Sequence, residues 1–161
     1  MARVDESDSF LLCRIGSRIG ALALKDVRET MRALPIAPLN ESPLFVLGLA
    51  IIRGSPTPVI DARQLLGCSA PFTSITAPSS SRFVSLKLGE RTAALAVDAV
   101  LDVCSLEAGA LMDVPSLLGS AATEYVSVIG ALDTELLLVL KAARLVPDSV
   151  WNSHPLSGAS T

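Results

Sequence analysis

Aromatic residues make up only 4% of this chain, histidine occurs once, and the three cysteines stand far apart. Each shortage closes a class of function. The single histidine, His154, lies in a Pro-flanked C-terminal stretch, away from any serine or cysteine in a motif-like setting, so a Ser/His or Cys/His nucleophile pair has no base. Cys13, Cys68 and Cys104 form no Cys-x-x-Cys pair, and no His-x-x-x-His accompanies them, which argues against structural zinc at ordinary spacing. An odd count at wide intervals, with Cys13 and Cys104 inside apolar strand-like runs, reads as reduced thiols behaving as small hydrophobes. The glycines do not form a Gly-x-x-x-x-Gly-Lys-Ser phosphate cradle. Asp98 and Asp102, four apart, have no visible partner acid or base and read as a turn residue and a surface charge. The expectation is a non-enzyme with neither metal nor cofactor.

Charge is also sparse. Thirteen Lys and Arg against sixteen Asp and Glu give a net charge of -3 and a pI near 5.1, without the concentrated basic face that a phosphate backbone requires. Nucleic acid is not an expected partner. Arg14, Arg18, Lys25, Arg28 and Arg32 are the densest cationic group and read as solvated positions on a hairpin and a helix. Apolar runs such as Leu44 to Ile52 and Leu136 to Leu140 are far shorter than the roughly 18 residues of a membrane span. The N-terminal residues 1–8 are polar and acidic, unlike a secretory signal, so they read as disordered and the chain as cytoplasmic.

What the sequence does contain is apolar bulk: half of its 161 residues are hydrophobic, chiefly Ala, Leu and Val. A chain of this length buries about two thirds of its unfolded surface. Strand patterns fall at Ser9 to Ile15, Arg18 to Leu24, Val46 to Ile52, Thr57 to Ile60, Phe83 to Leu88, Thr92 to Val97, Val100 to Leu106, Tyr125 to Leu132 and Glu135 to Leu140. Lys25 to Ala33 reads as a short helix or turn, and Lys141 to Val146 as a short helix stopped by Pro147. Close turns between short strands predict a barrel or a sandwich. The Ser/Pro-rich stretch 68–82 reads as a flexible connection inside one domain spanning 9–147, with 148–161 as a tail on which Trp151 can dock.

The stretch from Leu47 to Arg63 carries the most information. Two apolar strands are interrupted by Arg53-Gly54, then continued by Pro56, Pro58, Val59 and Ile60 to Asp61-Ala62-Arg63. Gly54 suits positive φ, and the prolines, which donate no hydrogen bond, suit an edge or a strand start. With Val27-Arg28-Glu29-Thr30-Met31, the Pro43 to Gly48 approach, Val97-Asp98-Ala99-Val100 and the closing Leu136 to Val146, this ordered set resembles the CheW-type chemotaxis coupling domain. Two residues depart from that pattern: Ile51 stands where the family often has Asn, and Lys141 near an acidic position.

The resemblance implies two small five-stranded SH3-like β-barrels packed around a shared core, with a short C-terminal helix. Whether each half of the sequence builds one barrel or strands are exchanged is open at this point. It also implies a scaffold without turnover, coupling the cytoplasmic tip of methyl-accepting chemoreceptors to the regulatory domain of a CheA-like histidine kinase in a two-component pathway, at membrane-associated arrays. The implied contact residues are Glu29 and Arg53; beside them Gly54 in the turn, and Val27 and Ile36, read as exposed apolar positions at the centre of a modest interface, are the further partner-binding candidates. A divergent adaptor serving pili or a second messenger, and a small-molecule-binding β-barrel, are the alternative readings.

Overall fold

The computed structural model describes residues 9–39, 45–66, 81–105, 112–113, 126–132 and 135–146. The expectations for residues 1–8, for most of the 68–82 connection, for Cys68, Trp151 and His154, and for the tail lie outside them.

Eleven strands occur among the described residues: β1 (Ser9–Ile15), β2 (Arg18–Ala23), β3 (Val27–Arg32), β4 (Val46–Ile52), β5 (Ser55–Asp61), β6 (Arg82–Leu88), β7 (Arg91–Val97), β8 (Ala99–Ser105), β9 (Met112–Asp113), β10 (Val126–Leu132) and β11 (Glu135–Leu140). One short helix, α1 (Ala62–Leu65), follows β5, with the Asp61 side chain accepting from the N–H of Arg63 as its cap. The strands form a six-stranded sheet, β8-β1-β2-β11-β10-β9, and a five-stranded sheet, β3-β6-β7-β5-β4. The first therefore carries the two-residue β9 beyond the five strands expected.

Strand exchange, left open by the sequence, is settled by the ladders. The hairpin β1–β2 pairs with β8 on one side and, in parallel, with β11 on the other, through Ile19↔Leu137 and its neighbours. The second sheet is built wholly from the intervening strands β3 to β7.

Lys25 to Ala33 is not a helix. Leu24–Asp26 makes one 3-10 turn, and Val27 to Arg32 pairs antiparallel with β6. Burial along β3 alternates, with Val27, Glu29 and Met31 half-buried and Arg28, Thr30 and Arg32 exposed, which is the two-residue period of a strand at a sheet surface. The closing helix shrinks to a 3-10 turn, Ala142–Arg144. Arg82, expected in the connection, opens β6.

Three apolar clusters explain why two sheets make one body. Phe10, Leu12, Ile19, Ala21, Leu137 and Val139 form a buried cluster within the first sheet. Ala50, Ile52, Val59, Phe83, Ala94 and Ala96 form one within the second, with Met31, Leu34, Ile36 and Leu47 packed against them. Between the sheets lies a third cluster drawing on both, including Leu11, Ile15, Leu22 and Leu138 from one and Val84, Leu86, Leu95 and Val97 from the other.

Two backbone features place the hairpin that matters below. Pro56 and Pro58 face Ile51 and Leu49, and β5 begins to pair with β7 only at Val59, so neither missing N–H interrupts a ladder. Gly48, at φ +145, sits at an irregularity in β4 where an added Cβ would lie 2.1 Å from the Ala37 carbonyl oxygen. The close approach lets Ala37 and Leu49 exchange two backbone hydrogen bonds of 2.8 Å, joining the segment after β3 to the outer edge of β4.

Candidate functional site

The β4–β5 hairpin closes through two residues, Arg53 and Gly54, between the paired Ile52 and Ser55. Both have positive φ, +50 for Arg53 and +80 for Gly54, the combination that matches a two-residue turn to the twist of its strands. Glycine adopts this conformation at no steric cost; arginine does not, by about 1–2 kcal/mol. Arg53 is the only non-glycine residue with positive φ among the described residues.

That backbone aims the side chain across the opening of the second sheet. The Arg53 guanidinium donates from Nε to Glu29 Oε2 at 2.5 Å and from Nη2 to Glu29 Oε1 at 3.0 Å, a two-pronged pair that lysine cannot reproduce. Glu29 projects from β3 and Arg53 from the tip beside β4, so the pair links the two outermost strands of the sheet. The Glu29 carboxyl is held below its ordinary range by the Arg53 hydrogen bonds, with further help from the charges of Arg53 and Arg28, and Arg53 is correspondingly raised. The arginine side chain stays 73% exposed while so constrained, which presents a fixed cation at the surface.

The remaining sequence candidates fall around this pair. Gly54 is the second turn residue, and open space surrounds its α-carbon. Val27 and Ile36 are half-buried rather than exposed: Val27 packs on the core between the sheets and Ile36 on the interior of the second. Among the described residues the most exposed large apolar side chain is instead Ile51, at 63%, two residues before Arg53 and opposite Pro56.

A second polar constellation was not singled out by the sequence. Asp98, at the bend between β7 and β8, is a turn residue as expected, yet it is buried and takes hydrogen bonds on both carboxylate oxygens. Its partners are Arg63 in α1 and the N–H of Gly16 in the β1–β2 turn. The signal was present in the Asp-x-Arg and Val-Asp-x-Val segments, each a charge set inside an apolar run. Asp102, by contrast, is exposed on β8.

Cys13 is buried and its thiol is pushed up to about 12 by desolvation. Cys104 is half-buried and raised by desolvation and by the charge of Asp102. Among the described residues no three His, Cys, Asp or Glu side chains converge as metal ligands would, and no helix is long and apolar enough to cross a membrane.

These residues define a two-sheet β protein with one common core and an ion-paired hairpin tip at its surface. The chain belongs to the CheW-like domain family, whose model matches residues 9–150. It is 30% identical over 95 residues to the chemotaxis protein CheW of Rhizobium meliloti (strain 1021), a match covering 58% of this chain and 57% of that protein, so the chain spans just over half the length of this curated relative. In fold it is similar to the scaffolding protein TtCheW from Thermoanaerobacter tengcongensis, with a TM-score of 0.73 at 24% identity over 84% of this chain and 89% of that one.

Proposed function

We propose that this chain is a non-enzymatic, cytoplasmic adaptor that couples methyl-accepting chemoreceptors to a CheA-like histidine kinase. Besides family membership, the observation that carries the reading is the Arg53–Glu29 pair on an exposed hairpin tip. A long charged side chain normally loses rotamer freedom when a partner orders it; here the two-pronged pair has already ordered it. In this reading receptor state shifts the kinase between active and inactive populations through contacts that differ between the two. Val27, Ile36 and Gly54 support the tip and its neighbouring strand rather than acting as isolated contacts.

The test is a titration of the full chain against the kinase regulatory domain and a receptor cytoplasmic fragment, with Arg53→Ala and Glu29→Ala beside the wild type. Saturable binding to both partners, weakened in the variants while their circular dichroism is unchanged, supports the reading. A folded wild-type protein that binds neither sinks it. The exposure of Ile51 favours a variant of the same reading, an adaptor matched to partners of another chemosensory pathway such as one controlling pili or a second messenger. Ile51→Asn then weakens its own partners and not flagellar ones.

A further inference from the structure

The chain passes from the second sheet to the first at Asp98, between β7 and β8. The Asp98 side chain is 11% exposed and that of its partner Arg63 is 21% exposed. Oδ2 accepts from the N–H of Gly16 at 2.6 Å, and Oδ1 accepts from Nε of Arg63 at 2.7 Å with Nη2 at 2.6 Å. The N–H of Asp98 donates to the carbonyl of Arg14 at 2.9 Å. Gly16 and Arg14 belong to the β1–β2 hairpin of the first sheet, whereas Arg63 is in α1, directly after β5 of the second. Arg63 is held at its other end too, its N–H donating to Asp61 Oδ1 at 3.0 Å. One carboxylate thus joins a turn of one sheet to a helix on the other.

We propose that Asp98 is a latch fixing the orientation of the two sheets, and that transmission between the adaptor's docking surfaces depends on it; the second part rests on the function proposed above. The apolar cluster between the sheets resists their separation, but apolar attraction has no direction and is satisfied by neighbouring rotations that bury similar area. Charge-assisted hydrogen bonds at a nearly buried carboxylate are directional, and selecting one arrangement is the best-attested use of such a pair. A partner held at Glu29 and Arg53 grips the second sheet alone. Its influence on the first passes through contacts between the sheets, and a sheet free to rotate does not carry it.

The latch is tested on the full-length 15N-labelled protein by residual dipolar couplings, comparing wild type, Asp98→Asn, Arg63→Met and Arg63→Lys. In the wild type, amides of both sheets fit one alignment tensor. In Asp98→Asn, which keeps an acceptor for Gly16 but removes the charge facing Arg63, the strands β3 to β7 and the strands β1, β2, β8, β10 and β11 require separate tensors. Arg63→Met does the same, and Arg63→Lys, which keeps the positive charge, lies closer to wild type. A single tensor in both Asp98→Asn and Arg63→Met overturns the latch; should one of the two fail to fold, the other decides. With two tensors, the expected functional result is unchanged affinity for each partner alone and about tenfold weaker receptor control of the kinase, within the span of ordinary coupling energies. Undiminished control overturns the role in transmission. Failure of the wild type to bind either partner removes the adaptor reading, while the tensors still decide the latch.

Discussion

Arg53 reaches Glu29 because its own backbone is left-handed: the φ of +50 that arginine tolerates poorly is what turns the guanidinium over the opening of the second sheet. The ion pair and the strained turn are therefore one feature, and changing either side affects both.

Glu29 titrates below its ordinary value of 4.5 in the folded state because Arg53 hydrogen-bonds the charged form. A carboxyl with a depressed folded-state value adds stability above its unfolded value and loses it as pH falls through the folded one. Acidification below about pH 4.5 thus loosens the hairpin tip from β3. A carbon-detected NMR titration should place the Glu29 midpoint below that of an ordinary glutamate, and Arg53→Ala should return it to that range.

Gly54 and Gly48 respond differently to substitution. Gly54→Ala meets no atom but must hold φ +80, a cost of about 1–2 kcal/mol, and Gly54→Asn should cost less because asparagine tolerates that region. Gly48→Ala drives a methyl group into the Ala37 carbonyl, so roughly 3 kcal/mol or more is expected from overpacking together with positive φ. Urea denaturation of the three variants should give that order.

Cys13 links stability to alkaline pH. Its folded-state value near 12 lies above the ordinary 9.0, so the unfolded chain releases a proton that the folded one keeps. Stability should fall from about pH 9 by about 1.4 kcal/mol per unit, levelling near pH 12. Cys13→Ala should flatten that limb, and an aromatic disulfide reagent at pH 8 should modify Cys104 well before Cys13.

The shared core predicts one unfolding transition. Phe83→Ala in the second sheet should cost about 3–5 kcal/mol and Leu137→Ala in the first about 2–5 kcal/mol. Both should move the same calorimetric peak. Two peaks, only one of them shifted by each substitution, would show that the cluster between the sheets does not unite them.

Nine of the strands were legible in the sequence because short apolar runs and the Gly16, Arg53-Gly54 and Gly89 turns are local signals. β3 was not: Lys25 to Arg32 mixes Lys, Arg, Glu and Met, good helix formers, and its strand state depends on pairing with β6, distant in sequence. The family resemblance supplied Glu29 and Arg53 as a pair, but not the left-handed backbone of Arg53, since pattern reading assigns positive φ to glycine. Asp98 was placed in a turn without its partners, because Gly16 and Arg63 meet it only after both sheets have formed.

The parallel pairing of β2 with β11 also governs the order in which this chain can assemble. The second sheet draws only on strands between Val27 and Val97 and can pair as soon as those residues are available. The β1–β2 hairpin emerges earlier but must wait for the last strands, holding Leu12, Ile19 and Ala21 unsatisfied until Leu137 and Val139 arrive. During synthesis this hairpin, made before the second sheet, is completed after it, and its apolar edge is the surface that a chaperone would find open longest.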